Sequence, residues 1–264
     1  MRISGKSFHF DIRGRYVLYL LGVKLLAVLL RAIDAFRFLP SRLRRAGMHL
    51  LLGGQNLQQA YDEGMVSRIL GGRIVYWWLE FILLLLDCLA IGEWYETFID
   101  FTKFNSRPLY TWEKKLASSI FGIAINYPRV RIDEYSVAGP RQLRLCYVSF
   151  YCINSWGRMD NSLLIHELVH VWQYQKIGIV YIPRALKAQR SPEGYDYGGA
   201  QGLEAARLAG RSLRSFNLEQ QADIISDYYR IREGYPPRWG RASVTDLPLY
   251  EYFVEQLRKE GPVT

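Results

Sequence analysis

Two histidines and a glutamate occur at a metal-binding spacing in the stretch NSLLIHELVHVWQYQ, which spans residues 161 to 175. His166 and His170 are four positions apart, and Glu167 follows the first histidine. On an α-helix, side chains four positions apart share a face, so both imidazoles can bind one Zn2+. Zinc lowers the pKa of its bound water to about 7, and a nearby carboxylate can take the proton as that water attacks a carbonyl group. The spacing predicts a hydrolytic zinc site with Glu167 as the general base.

A catalytic zinc also needs a third protein ligand and one open coordination position. The other two histidines, His9 and His49, lie in a basic N-terminal segment, so the third ligand is expected to be acidic. Glu219 in FNLEQQADIISDYYR is preferred, with Asp223 and Glu204 as fallback ligands. Asp223 follows Glu219 by four residues and would share its helix face. We expect Asp223 to accept a hydrogen bond from the far nitrogen of a ligating histidine.

Tyrosines between and after these segments could stabilise the oxyanion that forms when water attacks a carbonyl group. Tyr195 and Tyr197 lie in the Gly-rich stretch GYDYGG, and Tyr228 is a further possibility. The chain contains 19 tyrosines, so a structural role is the stronger interpretation for any single one.

Each part of the predicted site also has an ordinary structural interpretation. Two buried histidines can be hydrogen-bonded core residues, and Glu219 with Asp223 can form a solvated helix face. The bare motif arises by chance in roughly one chain in a hundred of this length. The metal site is favoured because a capped motif helix, an aromatic strand before it and a later Glu-x-x-x-Asp helix occur together.

The elements that must position these residues are read from periodicity and capping signals. Asp160 or Asn161 can cap the motif helix, which is expected to end near Gly178. Residues 127–135 and 143–153 show strand patterns, and residues 111–120, 203–215 and 217–233 show helix patterns, with Thr111 as N-cap of the first. Short strands among several helices predict an α+β fold. The expected division is a helical N-terminal region (1–105), a metal-binding domain (106–240) and a C-terminal helical extension (241–264).

The N-terminal region is apolar and basic. The net charge is +9, and residues 1–50 hold ten basic residues against two acidic ones. Residues 16–36 predict a helix that ends before Pro40, and its basic stripe, Lys24 and Arg31, suits an anionic membrane surface. Residues 74–92 are apolar but interrupted by Glu80 and Asp87, which favours a buried or membrane-lying hairpin over spanning helices.

Spacing offers a second interpretation of these charges. Arg73, Glu80 and Asp87 recur every seven residues, so they share one helical stripe. That stripe could face a partner helix that carries Lys24 and Arg31.

Composition excludes several classes of protein. Half of the residues are apolar, so the chain is not disordered. The three cysteines form no Cys-x-x-Cys pair, which argues against a disulfide framework and a cysteine-ligated metal. Nucleic acid is not an expected partner, because the cations are interleaved with long apolar runs rather than with stacking aromatics.

The motifs resemble those of known zinc metallopeptidases. His-Glu-x-x-His with a downstream Glu-x-x-x-Asp resembles the gluzincin arrangement. The stretch LLIHELVHVWQYQ, with Gln173 after the motif, and the later LEQQADIISDYYRIREG are similar to the bacterial DUF4157 domain and its Vgr-related relatives. The resemblance covers residues 108–235 and marks His166, Glu167, His170, Gln173 and Glu219.

The resemblance implies a zincin-like core, in which the edge strand of a short sheet runs antiparallel to a bound peptide. Here that strand would include Tyr147, Val148, Ser149 and Phe150. A zinc cofactor, a peptide or protein substrate, and Gln173 beside the ligands would follow. It also implies a bacterial origin and a secretion-system or toxin partner, with the protein in the cytoplasm, on the cytoplasmic face of the inner membrane, or secreted as an effector.

Two other classes of function remain open at this stage. A metal-stabilised module could keep the fold and the zinc for docking or assembly while cleaving nothing. Alternatively, the protein could act chiefly through its N-terminal helices at a membrane.

Overall fold

The computed structural model describes residues 6–62, 72–102, 106–137, 141–142 and 145–261. In the N-terminal helices, the side chains are described for residues 21–22, 24–55 and 74–101. Helices dominate these residues and surround one small sheet, as the predicted α+β class requires. The helices are α1 (Lys6–Asp62), α2 (Gly72–Cys88), α3 (Ile91–Thr102), α4 (Thr111–Phe121), α5 (Asn161–Ile177), α6 (Tyr181–Gln189), α7 (Gly199–Leu208), α8 (Leu218–Arg232) and α9 (Leu247–Lys259).

The first helix is longer than predicted. It continues through Pro40 instead of ending before it, so that prediction is wrong. A proline removes one backbone donor and disfavours a helix interior. Contacts on both sides of Pro40 outweigh this effect, because Arg31 and Arg42 form ion pairs with residues of α2 and α3.

The second apolar segment is broken where a single run was expected. Helix α2 ends at Cys88 and α3 begins at Ile91, with Ala90 in the left-handed region at φ 57°. The axes of Ile74–Cys88 and Ile91–Phe101 differ by 67°. Among the described residues, no single helix is long and apolar enough to cross a membrane; this bent pair passes by length and composition only.

Charged side chains form a seam between α1 and the two following helices. Asp87 pairs with Arg45 at 2.7 Å and lies 3.8 Å from Arg42, while Arg31 lies 3.3 Å from Glu96. Asp87 of the predicted stripe thus faces α1, but it meets Arg42 and Arg45 instead of the predicted Lys24 and Arg31. Glu80 pairs instead with Arg184 of α6. Lys24 donates to the carbonyl oxygen of Asp100, and Arg31 pairs with the Asp100 carboxylate. The predicted basic stripe therefore lies inside the seam instead of facing lipid headgroups; the side chain of Arg73 lies outside the described residues.

The sheet has four three-residue strands in the order β1-β2-β4-β3. They are β1 (Ser106–Pro108), β2 (Arg131–Asp133), β3 (Tyr147–Ser149) and β4 (Cys152–Asn154). Strand β2 runs parallel to β4, and β3 runs antiparallel to β4.

The two strands predicted from the sequence are shorter in the structure. Within the strand predicted over 143–153, the described residues form a hairpin of β3 and β4, because Phe150 turns the chain at φ 59° and its ring centroid lies 5.2 Å from that of Tyr174. Residues 127–129 form a 3₁₀ turn around Pro128, whose missing N–H suits a turn better than a ladder. Likewise, α7 begins at Gly199 and stops at Leu208, before Gly210 at φ 66°, so the expected helix over 203–215 is shorter and shifted.

The core lies between this sheet and the helices from α4 onward. Leu168 and Val169 of the motif helix and Ile224 of α8 are fully buried within it. The C-terminal segment is helical as expected, and α9 buries Tyr250 and Phe253 completely in the same core. The motif helix is thereby packed on every side.

The cap of the motif helix gives a direct test of its local stability. Asp160 accepts a hydrogen bond from the backbone N–H of Leu163 at 3.0 Å, as predicted. Burial raises the pKa of Asp160, but its bonds to Ser162 and Leu163 outweigh this and lower it below 3.8. We expect Asp160→Ala to lower the free energy of unfolding by about 1 kcal/mol at neutral pH in urea titrations. Asp160→Asn should keep most of the stabilisation that the cap provides.

The pH dependence supplies the check. Because the folded pKa is depressed, the charged cap stabilises the protein above the unfolded pKa of about 3.9 and loses that effect as pH falls through the folded value. The gap between wild type and Asp160→Ala should narrow over this acidic window. A gap that is constant with pH would show that the carboxylate charge contributes nothing.

Candidate metal centre

The motif helix brings its two histidines together in the protein interior. Helix α5 begins after Asp160 and ends before Gly178, as predicted. His166 and His170 are one turn apart, both are buried, and their ring centroids are 5.0 Å apart. Gly178 has φ 73°, and a Cβ there would lie 2.2 Å from Asp87 Oδ2. The end of α5 therefore packs closely against α2.

Glu219 lies directly between the two imidazoles. It is in the first turn of α8, where the Asn217 side chain accepts from the N–H of Gln220. Glu219 Oε2 is 3.4 Å from Nε2 of His166 and 3.4 Å from Nε2 of His170. One donor atom from each of these three residues lies within 4.8 Å of the others.

This geometry fits a zinc ion. Zn–N and Zn–O bonds of about 2.0–2.2 Å at tetrahedral angles place two donors about 3.4 Å apart. Glu219 is 1% exposed, and its Oε2 has no hydrogen-bond partner among the described residues. Its other oxygen accepts from Nε2 of Gln189 at 2.9 Å. A buried carboxylate oxygen aimed at two imidazole nitrogens is suited to a cation, because an isolated buried charge is costly.

Hydrogen bonds behind the histidines fix their orientation. Nδ1 of His166 donates to Asp223 Oδ1 at 2.7 Å, since a carboxylate can only accept. Nδ1 of His170 donates to Oε1 of Gln173 at 2.8 Å, and the Gln173 amide donates to the carbonyl oxygen of Leu218 at 2.8 Å. When the imidazoles are neutral, these tautomers leave a lone pair on both Nε2 atoms, as metal ligands require.

The charges of the cluster reinforce one another. Burial alone would lower the pKa of His166, but its hydrogen bond to Asp223 and its contact with the Glu219 carboxylate outweigh this and raise the pKa to about 10. Burial would raise the pKa of Glu219, but the bonds to both histidines lower it far below its usual range. Burial would also lower the pKa of His170, but the contact of His170 with Glu219 outweighs this effect and raises that pKa. The same carboxylates would stabilise a divalent cation.

Glu167 has the surroundings expected of a general base. It is buried, and its Oε2 has no hydrogen-bond partner among the described residues. Burial and the charge of Glu167 raise the pKa of the nearby Cys146 thiol well above its usual value. Cys146 directly precedes β3, so the carboxylate lies beside the start of that strand.

Strand β3 is at an edge of the described sheet and is tied to the metal centre through Tyr181. The Tyr181 hydroxyl donates to the carbonyl oxygen of Val148 at 2.7 Å, and its ring centroid is 5.9 Å from that of His170. Tyr147 and Ser149 belong to this edge strand as predicted. Phe150 does not, because it forms the turn and packs into the core.

The three tyrosine candidates lie in different surroundings. Tyr195 lies near the cluster, with its ring centroid 6.1 Å from that of His166, and burial together with Glu219 and Asp223 raises its pKa to about 12. The Tyr197 hydroxyl instead donates to Asp227 at 2.6 Å in the core. The guanidinium carbon of Arg258 lies 5.9 Å from the ring centroid of Tyr228.

The fallback ligand Glu204 and the two remaining histidines lie elsewhere. Glu204 is exposed and forms a 2.8 Å ion pair with Arg207, so it is not a third ligand. His49 stacks on Trp77 at 4.8 Å, and His9 lies outside the described side chains. Asp223 orients a histidine, which is its preferred predicted role.

Sequence reasoning missed several neighbours of the site. Gln189 contacts Glu219, the Trp239 indole donates to Asp223 Oδ2, and Gln221 Oε1 accepts from Gln173 at 3.1 Å. Arg238 lies 3.6 Å from Asp223 and 5.3 Å from the Tyr195 ring centroid. Gln221 could have been found because it lies on α8 between Glu219 and Asp223. Gln189, Arg238 and Trp239 reach the site only through tertiary folding.

The chain is similar to one secretion-system component. It is 30% identical to the type VI secretion system spike protein VgrG2b of Pseudomonas aeruginosa (strain PAO1) over 138 residues, which are 47% of this chain. The match covers 13% of VgrG2b, so the chain corresponds to a small part of that protein. This relative supports the Vgr-related link. No family model matches the chain, and no solved structure matches it, so membership of the DUF4157 group and the zincin fold stay predictions.

The partner of His166 provides a test of the cluster. We expect Asp223→Ala to weaken metal affinity about 10–100-fold, because the imidazole loses the acceptor that fixes its orientation. Asp223→Asn retains an acceptor oxygen and should lose less. Competition with a chromogenic chelator measures both constants. Unchanged affinity in Asp223→Ala would remove Asp223 from the site.

Proposed function

We propose that this protein is a zinc-dependent, metallopeptidase-like hydrolase. The observation that carries the proposal is the placement of Glu219 Oε2 at 3.4 Å from Nε2 of both His166 and His170. Bound there, zinc would polarise a carbonyl group and lower the pKa of a water molecule. His166, His170 and Glu219 would hold it, which leaves one position of a tetrahedron for water or substrate.

The chain's own groups would do the rest of the chemistry. Glu167 takes the proton of the attacking water on its unpartnered oxygen and delivers it to the leaving amine. Tyr195 would donate to a developing oxyanion, a role supported by its ring lying near that of His166 and by the engagement of the Tyr197 hydroxyl with Asp227. Asp223 and Gln173 keep the two imidazoles in their ligating tautomers.

A peptide is the proposed substrate because of the edge strand. An extended peptide can add to an exposed strand edge through main-chain hydrogen bonds. Strand β3 lies beside the metal cluster, with Cys146 near Glu167 and Val148 bonded to Tyr181. A peptide aligned along β3 would pass its carbonyl groups close to the base.

The relation to VgrG2b supports a setting for this activity. VgrG2b is a type VI secretion system spike protein, so we place this protein with such machinery, as a secreted effector or a component that acts beside it. A metal-holding module that serves docking without cleavage is the alternative within the same setting.

Removing the base should separate metal binding from catalysis. We expect Glu167→Gln to keep one zinc per chain, measured by mass spectrometry of the metal, and to cleave unfolded protein substrates about 10²–10⁴-fold more slowly. Glu204→Gln is the matched control, because Glu204 is an exposed glutamate paired with Arg207. Glu167→Gln with wild-type activity would contradict the assignment of the base.

Removing a ligand should abolish both properties. We expect His166→Ala and Glu219→Ala to lose zinc and hydrolysis together, whereas Glu204→Gln retains both. A chelator should inactivate the wild type, and added zinc should restore it. A wild type that holds zinc but cleaves no peptide in a broad substrate library would favour the docking module.

A further inference from the structure

The N-terminal helices expose an extensive apolar surface. Most of the exposed large hydrophobic side chains in the described part of the chain lie between residues 21 and 101. We define the outer apolar face as the exposed side of α1–α3, with representatives Leu29, Ile33, Phe36, Trp78, Ile82 and Trp94. Phe36 is 79% exposed and Trp94 is 67% exposed. Large exposed apolar patches on proteins mark interaction sites.

The same helices turn their negative charges away from this face. Six carboxylates occur among the described side chains of α1–α3, and each pairs with an arginine. The pairs are Asp34–Arg129, Glu80–Arg184, Asp87–Arg45, Glu93–Arg42, Glu96–Arg31 and Asp100–Arg31. The outer apolar face therefore carries no described carboxylate.

Among the described side chains of α1, two cations lie on the outward side. Arg37 and Arg44 are exposed and seven residues apart, so they lie on one helical stripe. Leu26 and Ile33 are also exposed on α1, and they too are seven residues apart. Basic side chains set among leucines and aromatics are typical of helices that lie in the interface of an anionic membrane.

We propose that the outer apolar face docks on an anionic lipid bilayer surface. Helix α1 lies along that surface, with its leucines in the upper acyl region and Arg37 and Arg44 at the phosphate headgroups. Helix α1 has 57 residues and so extends about 85 Å, far more than the roughly 30 Å hydrocarbon core, which suits a helix that lies flat. The tryptophans of α2 and α3 match the preference of indole rings for the interface.

Charge favours lipid over a second copy of this chain. Two copies that met through the outer apolar face would bring Arg37 and Arg44 of both into an apolar interface that offers no described carboxylate. Unpaired buried cations are strongly unfavourable. Anionic headgroups supply the opposite charge that the face itself lacks.

Vesicle flotation of the full-length protein tests the proposal. The probes are vesicles of phosphatidylcholine alone and of phosphatidylcholine with phosphatidylglycerol. We expect wild type to bind the anionic vesicles and to be released in part by salt. The pair Arg37→Gln and Arg44→Gln should lower the partition coefficient about thirtyfold, because each cation near an anionic surface contributes roughly fivefold.

Apolar insertion is tested separately. Leu29→Glu combined with Ile33→Glu should abolish flotation, whereas Leu208→Glu, a change at a 77% exposed leucine on α7, should leave it unchanged. Circular dichroism and zinc content establish that each variant is folded. These variants leave the metal ligands intact, so the result is independent of the proposed hydrolysis.

Three outcomes would overturn the proposal. Folded wild type that does not float with anionic vesicles contradicts it. So does flotation that Leu29→Glu with Ile33→Glu does not reduce. A stable dimer in light scattering that the same double substitution dissociates, without vesicle binding by wild type, would assign the face to a second copy.

Discussion

One buried oxygen, Oε2 of Glu219, organises the candidate metal centre. It faces Nε2 of His166 and of His170 at 3.4 Å, in a core where an isolated charge would be costly. The surrounding groups complete this arrangement. Gln189 satisfies the second carboxylate oxygen, Asp223 and Gln173 hold the imidazoles, and all of them depend on the close packing of α5 against α8. Ala222 is fully buried on α8, where a larger side chain would hold the helices apart.

Ion pairs perform a related task in the N-terminal helices. In the seam, carboxylates of α2 and α3 meet arginines of α1, and others reach past the seam to Arg129 and Arg184. Breaking one member would leave a buried charge without its partner, which is more costly than losing an exposed pair. The seam therefore sets which face of α1 is inside, and the apolar residues opposite it must be outside.

The sequence predicted the parts of the site that are local in the chain. The i,i+4 histidines and the Asp160 cap follow from positions on one helix, and the Glu219–Asp223 pair follows from the same rule on another. Gln173 was marked by the resemblance alone. Trp239 and Gln189 were missed because their contacts come from tertiary folding. Strand lengths were overestimated because an aromatic, β-branched run does not reveal the left-handed residue, Phe150, that turns it into a hairpin. The path of α1 through Pro40 was missed because carboxylates of α2 and α3, distant in the chain, pair with the arginines on both sides of it.

Helix α6 joins regions that are far apart in the chain. Its Tyr181 contacts β3, its Arg184 pairs with Glu80 of α2 at 2.7 Å, and its Gln189 donates to Glu219. Nine residues thus touch the edge strand, the N-terminal helices and a metal ligand. A rigid helix cannot move at one of these points without displacing the others. A substitution in the N-terminal helices that shifts Glu80 would therefore reach Glu219 through α6, which links the packing of those helices to the geometry of the candidate site.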